Sequence, residues 1–274
     1  MESASPTTSP SRAGALEERL LGLRRAGRRA LIPYLTAGFP RREDTLPLLD
    51  SLAAAGADVL ELGVPFSDPL ADGPTIQRAS QRALDGGATP AWVLETLAAF
   101  RRGHDTPVVL FTYLNPILAY GPERFLTDAA EAGADGLLLT DLPVGSDPEL
   151  EGLIEASPLA LVRLVAPTTP RERALEIAHR SQGFLYYVSR TGVTGARAEL
   201  RDALTAEVET LRSATDLPIA VGFGISTPEQ AATVARVADG VVVGSALIDV
   251  IERGGLEAGA ELIAGMRRAM DGAG

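Results

Sequence analysis

Along the chain, short uninterrupted apolar runs alternate with longer stretches in which apolar residues recur every three or four positions. The runs are LIPYLT (31–36), DVLELGV (58–64), PVVLFTY (107–113), GLLLTDL (136–142), LALVRLV (159–165), GFLYYVS (183–189), PIAVGFG (218–224) and GVVVGSA (240–246). Unbroken apolar runs of this length are the pattern of strands covered on both faces, as in a parallel sheet. The stretches between them include REDTLPLLDSLAAAG, PAWVLETLAAFRRG, PERFLTDAAEAGA, RERALEIAHRSQG and RAELRDALTAEVETLRSA. These carry helical periodicity, and several begin at a proline or an acid and close at a glycine. Eight strand–helix units in 274 residues predict a (β/α)8 barrel, a fold of about 250 residues. A doubly wound open sheet is the alternative. It gathers its ligand loops at one switch point, whereas here glycine and polar residues follow nearly every run.

Residues 13–29, AGALEERLLGLRRAGRR, form an additional amphipathic segment placed to close the bottom of the barrel. Residues 1–12, rich in Ser, Thr and Pro, are expected to be a flexible tail, leaving one domain over 13–274. The segment lacks the apolar core of a secretory signal, and nowhere does the chain reach the roughly 18 apolar residues of a membrane span. A cytoplasmic protein is expected. The absence of cysteine excludes disulfides, thiolate catalysis and Cys-bound metal centres. A formal net charge of −11 argues against a broad nucleic-acid surface, yet leaves room for an anionic substrate held by a few backbone amides.

In a barrel of this kind the chemistry lies at the C-terminal ends of the strands and in the loops that follow. Glu61 falls there, inside an otherwise apolar run, with Val59 and Gly63 on its face. If it points into the mouth, desolvation raises its pKa toward the range useful for general acid–base work; spacing alone leaves a solvated or ion-paired acid at a strand end equally open. Asp72 lies in the next loop, braced by Pro65, Pro69 and Pro74 beside Gly73. Asp68-Pro69 reads as turn chemistry. Later, Ser189-Arg-Thr-Gly-Val-Thr-Gly195 follows strand six, Gly222–Ser226 ends strand seven, and Gly244-Ser245 ends strand eight with Ser245 in N-cap position before a short helix, ALIDVIERGG. Glycines at three successive late strand ends suit a phosphate bound at a helix N-terminus; tight turns are the plainer alternative. Tyr34, Phe111, Tyr113, Tyr186 and Phe223 stand near strand ends and would wall a pocket for a flat apolar ligand. His104 and His179 fall away from the mouth and read as solvated surface residues, and no lysine stands near a strand end, which disfavours Schiff-base chemistry. From the residues alone a phosphosugar isomerase or aldolase barrel stays open.

PYLTAGFP (33–40), ELGVPFSDPLADGPTIQ (61–77), TYLNPILAYG (112–121), TDLP (140–143), SRTGVTGAR (189–197), GFGIS (222–226) and ADGVVVGSA (238–246) together resemble the tryptophan synthase α subunit family over nearly the whole chain after residue 30. The resemblance implies retro-aldol cleavage of indole-3-glycerol phosphate to indole and glyceraldehyde 3-phosphate, with no metal and no cofactor in this chain. It places Glu61 and Asp72 as the catalytic acids, and Gly195, Gly224, Gly244 and Ser245 around the phosphate. Tyr34, Phe111, Tyr113, Tyr186, Thr194 and Phe223 would form the pocket wall. It also implies a pyridoxal phosphate-bearing β subunit as partner in an α2β2 tetramer, met through Pro65, Asp68, Asn115 and Asp141. A stand-alone lyase releasing free indole, and a non-catalytic barrel that only activates a partner, share the same outline.

Overall fold

The computed structural model describes residues 12–188, 197–213, 215–222 and 224–272. Eight parallel strands close into a barrel in chain order: β1 (Ala30–Thr36), β2 (Leu60–Gly63), β3 (Val108–Thr112), β4 (Gly136–Leu139), β5 (Ala160–Val165), β6 (Leu185–Val188), β7 (Ile219–Gly222) and β8 (Gly240–Val243). β8 returns to β1 with Ala30 beside Gly240, so the closed barrel holds and the open sheet does not. Each strand lies within a predicted apolar run or one residue beyond it.

Alternation divides the strand residues into two layers. Ile32, Val59, Val109, Leu138, Val162, Ala220 and Val242 fill the barrel interior. Leu31, Leu60, Leu62, Leu110, Leu137 and Val241 point outward into a second core beneath the helices. Both layers are buried, which is why the runs are apolar without a break.

Helix α1 (Arg12–Arg25) plugs the bottom. Its Leu16, Leu20 and Leu23 join the interior cluster. Leu16 Cδ2 lies 3.2 Å from where a Cβ on Gly136 would stand and 2.8 Å from the same point on Gly183, so both glycines make room for the plug. The remaining helices ring the barrel: α2 (Thr45–Ala54), α3 (Pro74–Asp85), α4 (Pro90–Phe100), α5 (Leu114–Tyr120), α6 (Pro122–Ala132), α7 (Pro148–Glu155), α8 (Arg171–His179), α9 (Arg197–Arg212), α10 (Pro228–Ala235) and α11 (Ser245–Asp271). The short helix expected after β8 is the first part of α11. The chain breaks helical geometry at Gly255 (φ 78°, ψ −170°) and resumes to Asp271.

At the bottom rim the sequence repeats a device. Asp58, Asp135 and Asp239 each follow an alanine and directly precede a strand or stand next to its first residues. Each accepts a backbone N–H from the strand beside it: Leu31 at 3.0 Å, Val108 at 2.8 Å and Ile219 at 3.0 Å. Each also meets an arginine from a surrounding helix or its end: Arg267 at 2.9 Å, Arg101, and Arg212 at 3.1 Å. The bottom is thereby closed and charge-paired, and the top is left for chemistry.

Candidate active site

Glu61 enters the barrel because its Cα registers with Tyr34 on β1 and Val109 on β3, both inward-facing positions. It is buried, at 1% exposure, and no hydrogen-bond partner reaches its Oε1 among the described residues. Burial pushes its pKa from 4.5 up to about 8. At neutral pH this side chain therefore carries a proton it can donate, and the ion-paired alternative is set aside.

Asp72 is held by its loop and by β3. Its N–H donates to the Pro69 carbonyl at 3.0 Å, and Gln77 Nε2 donates to the Asp72 carbonyl at 2.9 Å. The Tyr113 hydroxyl donates to Asp72 Oδ2 at 3.0 Å and accepts from the Ala71 N–H at 3.0 Å. Partial burial raises the carboxyl pKa to about 6, and the Tyr113 hydrogen bond works against that rise. The two acids thus differ in the sense that acid–base chemistry needs: at neutral pH one is protonated and the other is ionised.

Aromatic rings flank them. Tyr34 is buried, meets Phe111 edge-on at 5.2 Å between centroids, and shares a hydrogen bond with Thr36 Oγ1 at 3.2 Å. Its hydroxyl lies 2.3 Å from where a Cβ on Gly63 would stand, and the Tyr186 hydroxyl lies 2.3 Å from the same point on Gly222. Two glycines therefore open the space that two tyrosine rings occupy. Burial drives both phenols far above their ordinary pKa, so they stay neutral.

Beside Tyr34, at the end of β8, Gly244 precedes α11. The structure makes Gly244 the N-cap (φ −111°, ψ −92°), and Ser245 is the first helical residue, which corrects the expectation that Ser245 caps the helix. The strand ends one residue earlier than a serine cap requires. The amides of Ser245 and Ala246 still have no intrahelical acceptor and face the mouth end. Gly224 adopts φ 74°, a left-handed conformation that glycine adopts without strain. Gly195, Thr194 and Phe223 lie outside the described residues.

The four residues expected at a partner surface do not behave alike. Phe66, Asp68, Leu70, Ala71, Tyr113, Asn115 and Asp141 line one groove of about 430 Å3 beside the mouth. Asp141 accepts the Leu114 N–H at 2.7 Å. Pro65, two residues after β2, is buried and presents no surface of its own. Sequence reading passed over Leu70 and Leu118, which stand 91% and 50% exposed. Exposure of a single leucine is not written in its spacing. His104 also departs from expectation: it stacks on Phe100 at 4.5 Å and its Nε2 approaches Asp50 Oδ1 at 3.1 Å, while His179 is exposed. Among the described residues no three His, Asp or Glu side chains gather as a metal ion would require. No described helix is long and apolar enough to cross a membrane.

Comparison with known proteins gives a consistent result. A family model described as tryptophan synthase alpha chain matches residues 20–270. The tryptophan synthase alpha chain of Gluconacetobacter diazotrophicus is 54% identical over 238 residues, 86% of this chain and 87% of that one. That of Citrifermentans bemidjiense is 50% identical over 248 residues, covering 90% and 92%. Among solved structures, tryptophan synthase subunit alpha from Legionella pneumophila superposes with a TM-score of 0.88 at 41% identity, over 96% of this chain and all of that one. Tryptophan synthase from M. tuberculosis, in an open form with BRD0059 bound, gives a TM-score of 0.85 at 34% identity, over 95% and 98%.

Proposed function

The chain belongs to the tryptophan synthase alpha chain family, and from that premise we propose that Glu61 and Asp72 carry its reaction. The reaction is the lyase step of tryptophan biosynthesis, cleavage of indole-3-glycerol phosphate to indole and glyceraldehyde 3-phosphate. The C–C bond to be broken joins indole C3 to a carbinol carbon. It breaks once C3 holds a proton and the ring nitrogen is iminium-like, because the ring can then take back the bonding pair.

Protonated Glu61 supplies the proton to C3. As a carboxylate it then takes the proton from the carbinol hydroxyl while the bond breaks, and so returns to its starting state. Asp72, ionised and fixed by Tyr113, accepts the indole N–H and stabilises the positive charge that develops on the ring. The observation that carries this reading is the contrast between the two carboxyls, about 8 for Glu61 and about 6 for Asp72. Tyr34, Phe111, Tyr113 and Tyr186 form the walls around the ring, and family resemblance adds Thr194 and Phe223, which lie outside the described residues. Gly224, Gly244 and Ser245 present amides to the phosphate; family resemblance adds Gly195, which lies outside the described residues. None of these steps draws on a cofactor in this chain.

Family membership implies a β subunit as partner. We assign the groove of Asp68, Asn115 and Asp141 to it, in an α2β2 assembly in which pyridoxal phosphate belongs to the β subunit. Exposed Leu70 on the groove and exposed Leu118 on the adjoining α5 support that assignment.

The test measures indole release by the purified chain, alone and with a β subunit. Glu61→Gln is expected to lower turnover by about 10^3-fold, within the range for loss of a general acid–base group, while leaving glycerol phosphate binding intact. Substantial residual turnover would remove Glu61 from the role. Fast release by the unaltered chain that the β subunit does not change would indicate a free-standing lyase.

A further inference from the structure

We infer that Arg78, Thr75 and Asp249 form a clasp between the helix that begins beside Asp72 and the helix that holds the substrate phosphate, and that Arg78 is a positioning residue for that phosphate. The inference rests on the phosphate assignment above.

Thr75 is the second residue of α3, three positions after Asp72. Its hydroxyl donates to Asp249 Oδ1 at 3.1 Å. Arg78, one turn further along α3, places Nη2 3.8 Å from the same Oδ1 and 3.4 Å from Thr75 Oγ1. Between the helices, Ile76 Cδ1 stands 3.8 Å from the Cβ position of Gly244. The end of the Asp72 loop and the start of α11 are thus fastened by three polar side chains and one apolar contact.

The chemistry of the clasp follows from where Asp249 stands. It is four residues after Ser245, about 6 Å along the helix axis. Side chains on a helix lean toward its N-terminus, so this carboxylate leans toward the amides of Ser245 and Ala246. Asp249 stands just beyond the first turn of α11. With a phosphate dianion bound at that end, the two anions repel one another. Arg78 and Thr75 lessen the repulsion by drawing the Asp249 charge sideways onto α3. One set of contacts therefore lowers repulsion at the phosphate and anchors the helix that follows Asp72.

The experiment titrates inorganic phosphate and measures KM and kcat for indole-3-glycerol phosphate in Arg78→Met, Asp249→Asn and the double variant. Arg78→Met is expected to weaken phosphate binding and raise KM about five-fold, the size appropriate to one partly exposed ion pair, with kcat reduced less than KM is raised. Adding Asp249→Asn to Arg78→Met should restore phosphate affinity, because the uncompensated carboxylate is gone. Unchanged affinity in Arg78→Met, or a deficit that Asp249→Asn does not repair, overturns the inference; the second result would mark Arg78 as a purely structural contact. Gly224→Val in the same titration separates the two levels. If it leaves phosphate affinity unchanged, the phosphate site itself is misassigned; if it weakens binding and Arg78→Met does not, only the clasp falls.

Discussion

Glu61 sits where an ionised carboxylate is unwelcome, and that has a cost that can be measured. Its pKa is near 4.5 in an unfolded chain and about 8 in the fold. Between those values the folded state binds a proton that the unfolded state has released, so stability falls as pH rises through the window and the loss is complete above about pH 8. Glu61→Gln removes the penalty without removing volume. Thermal denaturation should show the variant more stable than the parent at pH 8, by on the order of 5 °C, with the difference vanishing below pH 4.5. An equal melting temperature at both pH values would mean that Glu61 is solvated in solution. Tyr113 makes the complementary case. Its hydrogen bond holds the Asp72 pKa below what burial alone would give. The rate of the isolated chain should be bell-shaped in pH, with limbs near 6 and 8 set by Asp72 and Glu61. Tyr113→Phe should move the acid limb upward and leave the alkaline limb in place. A shift of both limbs together would show that the loop, not the hydrogen bond, had been lost.

At the level of elements, the bottom clasps decide how firmly the barrel is closed. Asp58 is buried and binds both the Leu31 amide and Arg267. Asp58→Ala leaves the Leu31 N–H without its acceptor and takes one of three partners from Arg267, which keeps Asp271 and the Arg29 carbonyl, and should destabilise the fold by about 2 kcal/mol. Chemical denaturation checks this, and a loss no larger than that of an exposed surface substitution would mean that the clasp is peripheral. The eight strands were legible in the sequence because burial on both faces leaves an unbroken apolar run, and the place of Glu61 was legible because it interrupts one. The bottom clasps were not. Ala57-Asp58, Ala134-Asp135 and Ala238-Asp239 recur before strands, but an aspartate at a strand entry looks like an ordinary turn residue until its arginine arrives from a helix far along the chain. Helix α5 was indistinct for another reason: seven residues with only Ile117 buried carry no period to detect. Ser245 and Gly244 exchanged roles at the start of α11 because a boundary of one residue is set by backbone geometry, not by composition. The links from Tyr113 to Asp72 and from Thr75 to Asp249 cross 41 and 174 residues of sequence, and no local pattern announces them.

Across the whole molecule, closure of the sheet sorts tasks onto two faces. The top carries the two acids, the glycine-lined helix start and the groove with Leu70; the bottom carries the α1 plug and the arginine clasps. A leucine exposed at 91% stands on the loop that also holds Asp72, so the proposed partner groove and the proposed acid share one short segment. Leu70→Glu should leave indole release by the isolated chain nearly unchanged and reduce any stimulation by the β subunit by about tenfold or more, as expected for loss of a central apolar contact. Undiminished stimulation would place the partner elsewhere. The bottom face has a practical consequence. Arg28, between α1 and β1, lies 3.6 Å from Asp271, the last residue of α11, so the end of α11 meets the entry to β1 beneath the barrel. A linker joined after α11 would leave from this lower face, and the enzyme could be tethered to a support with its mouth turned outward.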